Sequence, residues 1–406
     1  MVCITEISKK GACRMRILKY ELKKIWHPGV LVALAILGVV FGYLFLEMPL
    51  KYFPNGHPMK EQYEQMKQWT EKYGTTLEEN EYKDAQKEVQ ELIARADTMI
   101  KKEERFSKEG ITTYEDLSRA LLCIEEEVER EPQEWENLLY SEEFDRIGYQ
   151  IDNFYDMLFC YDIRYQYFEE KKENKTAVQQ KRIDDLIQNR KLDGIMPYEA
   201  MGNINEYSRW AITFILLSIL ILLAPVVTRD RLTNMQQLQW SSKQGRKVLI
   251  TQLGAVLLST AILVIIELVI FIGVYSTLGT QFFWNNPIHT FEYAQIFWFD
   301  LTYGQYVICM IGITIVLSLG MAGIAFVLSR YSRHYISLLF KVVPVFVIFA
   351  LFIHVVLIDE GLFNFTNMLS RITGIAGIEV WSAVGIFLIA TTMCIYTLWH
   401  EKSCEV

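Results

Sequence analysis

Six long apolar segments constrain the fold of this 406-residue chain more than any other feature of its sequence. A helix needs roughly 20 mostly apolar residues to cross the hydrocarbon core of a bilayer. Six segments meet that requirement, at residues 29–46, 208–227, 248–276, 303–328, 335–358 and 380–398. The first follows a basic stretch, but residues 45–49 offer no small-residue cleavage site, so we expect this span to be retained. The sequence therefore predicts an all-α integral membrane protein with six spans.

Charge is distributed very unevenly along the chain. Residues 51–206 contain 58 Asp, Glu, Lys and Arg residues, about 37% of that segment, whereas the other 250 residues contain 30, about 12%. Soluble domains average about 25%, so residues 51–206 are interpreted as a separate domain between the first and second spans. This segment has 36 acidic and 22 basic residues and offers no basic face for phosphates, so a nucleic-acid partner is not expected.

Lysine and arginine in the short loops predict the orientation of the spans. Seven precede the first span, five lie between the second and third, and two lie between the fourth and fifth. Residues 277–302 contain none and residues 359–379 contain only Arg371. Because basic loops stay inside, we expect residues 1–28 and the tail at 399–406 to be cytoplasmic and residues 51–206 to be extracellular. The expected location is a plasma membrane of the bacterial type.

The residues before the first span have the pattern of an amphipathic helix. Met15, Leu18, Leu22, Ile25 and Trp26 follow helical spacing, with lysines on the other face. Such a helix is typical of a segment that lies in the headgroup layer of the membrane. A basic signal that only orients the first span would explain the lysines equally well.

The charged segment at 51–206 is rich in helix-forming residues, and we predict helices near 60–73, 77–108, 113–139, 142–173 and 175–192. Capping-box patterns occur at Thr75-x-x-Glu78 and Thr112-x-x-Glu115. Apolar residues after Phe144 recur at spacings of 3, 4, 3 and 4, which defines a helix face that must be buried. We therefore expect a folded helical domain whose aromatic face is core, with a substrate groove as the alternative.

The motifs of common catalytic chemistry are absent from the sequence. There is no Gly-Lys pair for a phosphate-binding loop, no His-Glu-x-x-His and no Gly-x-Ser-x-Gly, so we expect neither an enzyme nor a cofactor bound by this chain. Cys123 and Cys160 lie on the helices at 113–139 and 142–173, at similar distances from a turn, and are a candidate disulfide. Glu267 and His354 lie within spans at similar depth and are candidates for a substrate path, although simple hydrogen bonding between helices would also explain them.

The loop at 228–247, between the second and third spans, carries the most specific pattern in the chain. Asp230 follows the span, Trp240 ends a partly apolar helix face, a Ser-Ser step follows, and Gly245-Arg246 precedes the third span. This loop, together with the order of the spans and the large insert, resembles the membrane subunit of an ABC transporter of the ABC-2 type. In that family the acidic residue is usually Glu, and a Lys often follows Gly-Arg where positions 251 and 252 here hold Thr and Gln.

The resemblance implies that this loop is the coupling element that docks on a separate ATP-binding subunit. The residues expected to dock are Arg229, Asp230, Leu232, Met235, Leu238, Trp240, Gly245 and Arg246. It also implies that ATP and Mg are bound by that partner, that a second permease subunit, identical or different, completes the path, and that residues 359–379 form re-entrant helices. The apolar face could instead lie on the inner membrane surface, where Trp is common.

These expectations favour an exporter subunit that moves a peptide or a lipid-like substrate. A membrane-anchored sensor or receptor for an extracellular ligand is the main alternative, since the charged domain alone would serve it. A stand-alone secondary transporter is a third, disfavoured by the sparse intramembrane carboxylates and the lack of obvious inverted repeats. Association with an ATPase would separate the first from the other two.

Overall fold

A computed structural model describes residues 15–126, 142–173, 175–241, 245–292 and 295–403. Within these ranges the chain consists of helices, turns and two isolated β-bridges, with no strand, which confirms the prediction of an all-α protein. The chain forms two compact units. The bundle contains Met1–Lys51, Gly202–Gln281 and Gly304–Val406, and the insert contains Tyr52–Met201 and Phe282–Tyr303.

Six helices in the described ranges are long and apolar enough to cross a membrane, as predicted. Numbered span 1 to span 6 in chain order, they are Pro28–Lys51, Tyr198–Leu232, Val248–Leu278, Tyr303–Arg330, Tyr335–Leu357 and Ile378–Lys402. Span 1 contains a π-helical turn at Gly42–Leu46 and span 5 another at Phe352–Leu357. Span 2 bends at Ala224 between the helices Tyr198–Leu223 and Pro225–Leu232, since Pro225 cannot donate a backbone hydrogen bond.

Span 2 lies at the centre of the bundle. Of its most apolar 18 residues 83% are buried, against 11% for span 5. Phe214 packs on Phe41 of span 1, and the Tyr207 hydroxyl donates to the Phe271 carbonyl of span 3. Because neighbouring helices cover most of span 2, it is the element against which the others are arranged.

Span 4 packs closely on span 6 through two small residues. A Cβ atom at Gly320 would lie 3.3 Å from Ile386, and one at Gly323 would lie 3.3 Å from Ala390. The Cys394 thiol donates to the Gly323 carbonyl. These contacts bring the two helices close together, because only small residues allow two backbones to approach this closely.

The segment between spans 5 and 6 is irregular, and its backbone polar groups are bonded by asparagine side chains. Its only regular element among the described residues is the short helix Met368–Thr373, which Asn367 caps and which ends at Gly374 in a left-handed conformation. Asn367 also donates to the Leu357 carbonyl, and Asn364 accepts from the Thr366 amide. The backbone of this segment is thus bonded within the protein, and its assignment as re-entrant helices in a membrane stays a prediction.

The insert is helical, as expected. Its helices in the described ranges are Met59–Tyr73, Glu79–Lys102, Glu104–Lys108, Tyr114–Glu126, Glu142–Glu170 and Ala177–Gln188. The remainder of the predicted helix at 113–139 lies outside the described residues. Phe154 and Leu158 are buried in a core with Trp69, and Ile151 packs with Ala96. The stripe that follows Phe144 is therefore mostly core, although Tyr155 and Phe159 stay exposed beside a surface groove.

The capping boxes of the insert differ from the predicted ones by one to three residues. Glu78 and Glu81 cap the helix Glu79–Lys102, so the box does not begin at Thr75. Thr113 and Asp116 bond each other's backbone amides at the next predicted site, in place of Thr112 and Glu115. Spacing alone could not separate these alternatives, because overlapping Thr, Asp and Glu residues supply several boxes of equal chemical quality.

Residues 282–303, which the sequence presented as a short loop between spans, complete the insert. Asn286 donates to the Ile195 carbonyl, and Phe291 enters the core beside Tyr161. Asp300 pairs with Arg182 and, at 2.7 Å, with Lys191. The insert is thus built from two stretches of chain rather than from residues 51–206 alone.

Candidate functional site

The loop after span 2 consists of two short helices with a tight turn between them. The first, Pro225–Leu232, continues from span 2, and the second is Met235–Ser241. Asn234 joins them in a left-handed conformation, which Asn tolerates better than most residues. Gly245, whose φ is 51°, begins the helical turn Gly245–Lys247, and the chain enters span 3 from this turn. The side chain of Arg246 lies outside the described residues.

Asp230 is the centre of a buried polar network and not an exposed docking residue. Its side chain is 6% exposed, and its carboxylate accepts two hydrogen bonds from Lys24, at 2.7 and 2.9 Å. The amide of Gln252 donates to it at 2.7 Å and that of Gln239 at 3.1 Å. These four donor contacts make Asp230 an internal anchor of the loop, while a contact of its own with a partner subunit stays a prediction.

Lys24 lies in the segment before span 1, where residues 15–25 form a helix, as predicted. It also pairs with Glu21 at 2.6 Å, and Glu21 accepts a further hydrogen bond from Gln252. Burial raises the pKa of Glu21 above its ordinary value, with the Asp230 carboxylate adding to the shift and Lys24 opposing it. The indole of Trp26 donates to Ser259, which gives this segment a second bond to span 3.

A second set of contacts ties the loop to span 4 and to the end of span 6. Arg231 donates to the carbonyls of Arg330 and Ser332. Arg330 forms a bidentate pair with Glu401, at 2.5 and 2.8 Å. The hydroxyl of Ser329 accepts from the backbone amides of residues 227 and 228. These contacts bring residues 15–26, 225–241, 245–247, 330–334 and Glu401 together at one end of the bundle, called here the basic end.

Sequence reasoning missed Lys24, Gln252, Arg330 and Glu401 as members of this network. Lys24 and Arg330 counted only as orientation signals, because a basic residue at the end of a span satisfies that rule whether or not it has a partner. The one usable signal was the pair of polar residues, Glu21 and Gln252, on otherwise apolar helix faces. Each needs a hydrogen-bonding partner once buried.

Five of the other docking candidates on this loop are exposed, as a docking surface requires, whereas Gly245 is half-buried. Leu238 is 65% exposed, and Leu232, Met235, Trp240 and Arg229 are exposed as well. The Trp240 ring lies under the Arg330 guanidinium, 5.2 Å away, which fixes one edge of the surface. We call Leu232, Met235, Leu238 and Trp240 the loop face. It presents apolar side chains on a backbone that the Asp230 network holds in place.

The two candidates for a substrate path both contact span 2. Glu267 is buried beside Ser218 and has an Oε2 atom with no partner in the described structure. His354 lies in the π-helical turn of span 5, with its Nε2 atom 3.1 Å from the Thr213 hydroxyl. Thr213 and Ser218 are five residues apart, about 7.5 Å along the helix. The two ionisable groups therefore meet span 2 at different heights and do not form a single pair.

Arg209 is an ionisable residue in span 2 that the sequence reasoning passed over because it lies at the edge of the apolar run. Its Nε atom is buried and has no hydrogen-bond partner in the described part of the chain. Its charge acts on His354, whose ring packs on Trp210 with 4.3 Å between centroids. This part of the bundle thus holds a cation, an imidazole and an indole close together.

The expected disulfide is not formed by Cys160, which is a free cysteine. Cys160 packs instead at the edge of the insert core, beside residues such as Leu92 and Ile93. The side chain of Cys123 lies outside those that the structure describes. Among the described residues there is also no group of three or more His, Cys, Asp or Glu side chains that could hold a metal ion.

Comparisons of the chain with models of known protein families, with curated proteins and with solved structures found no match. The resemblance to an ABC-2 subunit thus depends on the sequence of the chain alone.

Proposed function

We propose that the chain is the membrane subunit of an ABC exporter of the ABC-2 type, and that a separate subunit hydrolyses ATP. The observation that carries this proposal is the loop face, an exposed apolar surface on two short helices at the basic end of the bundle. A few aromatic and aliphatic side chains in such a patch commonly provide most of the binding free energy of a protein interface. The partner that fits this surface is an ATP-binding subunit with a complementary groove.

The anchoring of the loop supports coupling rather than simple attachment to a membrane surface. Asp230 connects the loop to Lys24 before span 1 and to Gln252 in span 3, and Arg231 connects it to span 4. A movement of the ATP-binding subunit would therefore act on several spans at once. An interfacial loop that only covers lipid would gain nothing from buried, fully bonded charges, because such charges are costly to desolvate.

The proposal includes an orientation. The basic end faces the cytoplasm, because its Lys and Arg residues follow the positive-inside rule, and the insert lies on the extracellular side. Labelling with a membrane-impermeant thiol reagent in intact cells tests this assignment. An engineered cysteine at Gln237, which is exposed on the loop, should not react, whereas one at Lys87 of the insert should react. The opposite pattern would reverse the orientation.

The substrate proposed is a peptide or a lipid-like molecule, handled by the insert on the outer face and passed through a path made by two membrane subunits. Glu267, His354 and Arg209 are the polar groups of the bundle that could face such a path. This chain would contribute no catalytic residue, because ATP and Mg would bind to the partner. A sensor with the same insert would not need the anchored loop face. The loop face therefore favours an exporter subunit over a sensor.

The decisive experiment replaces the loop face. The double variant Leu238→Ala/Trp240→Ala should still insert in the membrane but should retain less than a tenth of the ATPase that co-purifies with the wild-type chain. A matched control is Leu388→Ala/Trp399→Ala, since this Leu and Trp are also exposed but lie on span 6. The control should behave as wild type. A purified wild-type chain with no polypeptide that hydrolyses ATP, or a loop variant that keeps its partner, would contradict the proposal.

A further inference from the structure

An apolar groove of about 480 Å³ runs between spans 2 and 5 near the basic end of the bundle. Its buried floor is formed by residues such as Leu220, Ala224 and Leu338. Its exposed rim is formed by residues of span 5 that include Leu339 and Val343. The volume lies within the range of about 300–1,000 Å³ that is typical of sites for small molecules. Nearly the whole lining is aliphatic or aromatic, so the groove suits a hydrocarbon chain.

Two exposed arginines flank the mouth of this groove, one from each wall. Arg229 lies one helical turn beyond Pro225, which lines the groove, and residues four apart share a helix face. Arg333 lies two residues before Tyr335, which lines the groove from the other side. The helix Pro225–Leu232 packs against Tyr335–Leu351, so the two walls meet at this end.

Neither of these guanidinium groups has a side-chain partner within the described part of the chain. Other arginines at the basic end have partners within the protein, since Arg231 donates to two backbone carbonyls and Arg330 pairs with Glu401. For Arg229 and Arg333, no side-chain hydrogen bond or ion pair occurs within the described residues. The guanidinium groups of Arg229 and Arg333 are therefore available to bind an anion at the mouth of the groove, above its apolar floor.

We propose that this groove binds one phospholipid with an anionic headgroup. One acyl chain lies against Leu220, Ala224 and Leu338, and the phosphate is held by Arg229 and Arg333. Basic pockets between membrane helices on the cytoplasmic side are suited to anionic headgroups, and guanidinium groups match phosphate oxygens well. The lipid would come from the leaflet at the basic end, which is the cytoplasmic leaflet in the proposed orientation. The site does not depend on transport or on an ATP-binding subunit.

A lipid suits the groove better than a soluble anion or a second copy of the chain. A soluble phosphate would use the arginines but would leave the aliphatic floor empty. A second copy would fill the floor but would bring its own Arg229 and Arg333 toward the same mouth if the contact were symmetric, which places like charges together. An amphiphile with a negative headgroup satisfies both halves of the site.

The test is a titration of the full-length, delipidated chain in detergent, followed by native mass spectrometry. The probes are dioleoyl phosphatidylglycerol, dioleoyl phosphatidylcholine and glycerol phosphate, which separate headgroup charge from the acyl chains. Wild type should bind one phosphatidylglycerol more tightly than phosphatidylcholine, and glycerol phosphate should not compete at matched concentrations. Arg333→Gln should weaken phosphatidylglycerol binding about fivefold and the double variant Arg229→Gln/Arg333→Gln about 25-fold, from roughly 1 kcal/mol per basic residue near an anionic headgroup.

A second variant addresses the floor of the groove. Val343→Trp should fill it and weaken binding of both phospholipids at least tenfold. Ile348→Trp is the matched control, since Ile348 is exposed on the same span but does not line the groove. Arg16→Gln controls for loss of an exposed arginine elsewhere at the basic end, and Arg333→Lys should retain most of the preference for phosphatidylglycerol.

Three results would overturn the proposal. Unchanged phosphatidylglycerol binding in the double arginine variant would exclude the arginines as headgroup ligands. Equal competition by glycerol phosphate would indicate a site for soluble anions. Dissociation of a dimer by Val343→Trp with unchanged lipid binding would assign the groove to a second copy of the chain. None of these results depends on ATPase docking, so failure here leaves the proposed function untouched.

Discussion

Removal of the Asp230 carboxylate tests whether the buried network holds the loop face in place. In Asp230→Ala the Lys24 ammonium loses two hydrogen bonds and keeps its pair with Glu21, and Gln252 likewise keeps only Glu21. Breaking a fully buried ion pair costs about 3–5 kcal/mol. The side chain of Lys24 is 30% exposed, so water replaces part of the lost interaction. We therefore expect the bundle to lose about 2 kcal/mol of its free energy of unfolding.

The loss of stability caused by Asp230→Ala should disappear or change sign when Lys24 is already absent. Lys24→Met leaves the carboxylates of Glu21 and Asp230 buried without a cation, so removal of Asp230 then relieves repulsion between like charges. Asp230→Ala should thus be neutral or slightly stabilising in that background. The expected coupling free energy between the two residues is about 2 kcal/mol, within the range measured for members of one network.

The assay is the fraction of full-length protein that stays monodisperse in detergent after heating, together with the rate of tryptic cleavage at the exposed Lys247, where the substitution leaves the cleaved bond unchanged. Both should change in Asp230→Ala, since the loop is released from span 3 and from the segment before span 1. Glu47→Ala is the control, because the exposed pair of Glu47 with Lys51 contributes well under 1 kcal/mol. Additive effects of Asp230→Ala and Lys24→Met would refute the network as the anchor of the loop.

Three further predictions concern the insert. Gly194→Ala should destabilise the insert by about 1–3 kcal/mol and expose residues 282–303 to protease, because its Cβ atom would overlap the His289 carbonyl and lie 2.7 Å from Pro287. Burial lowers the pKa of His289 to about 4, so the insert should lose up to about 3 kcal/mol as the pH falls from 6.5 to 4; a thermal-stability profile of His289→Gln should lack this part of the pH dependence. Burial and the neighbouring Glu199 raise the pKa of Glu292, so its ionisation costs stability above pH 4.5. Glu292→Gln should raise the melting temperature at pH 8 and lose that advantage toward pH 4.5, and an equal gain at both values would contradict this reasoning.

The six spans could be predicted because membrane crossing requires only length and apolar composition, which are local properties of the sequence. The start of span 2 was the exception, since its helix begins ten residues before the predicted 208. Asn203 and Asn205 made those residues look polar, yet Asn203 donates to the Pro49 carbonyl and Asn205 accepts from Tyr306. Burial of an amide side chain costs little free energy when the amide has a hydrogen-bonding partner. A hydropathy scale takes no account of such partners.

The helices of the insert could also be predicted, whereas its second stretch of chain could not. Residues 282–303 contain aromatic residues but no regular period, and their contacts reach far along the sequence. Asn286 bonds to Ile195, 91 residues earlier, and Arg182 bonds to Asp300, 118 residues later. Such pairs follow from the tertiary fold and leave no mark on local composition, so the loop was interpreted only as a short connection between spans.

The candidate site could likewise be predicted only in part from the sequence. The apolar spacing of Leu232, Met235 and Leu238 predicted one helix face. The structure leaves these side chains exposed, with Leu232 on one short helix and the other two on the next. Asp230 was grouped with them because an acidic residue beside a membrane span has the same sequence pattern whether it meets a partner protein or an internal lysine. Its actual partner, Lys24, lies 206 residues earlier in the chain. Only the fold distinguishes an interface residue from an anchor.

The anchors of the loop determine which spans can respond to a force applied to the loop face. Pro225 removes one backbone hydrogen bond where the loop leaves span 2, which weakens the helix at that point and makes it a natural hinge. Immediately beyond this hinge, the Ser329 hydroxyl of span 4 bonds the amides of residues 227 and 228. Asp230 then connects the loop to Lys24 and Gln252. If the loop face binds a partner as proposed, we therefore expect a displacement of the loop to act on span 4, on span 3 and on the helix before span 1.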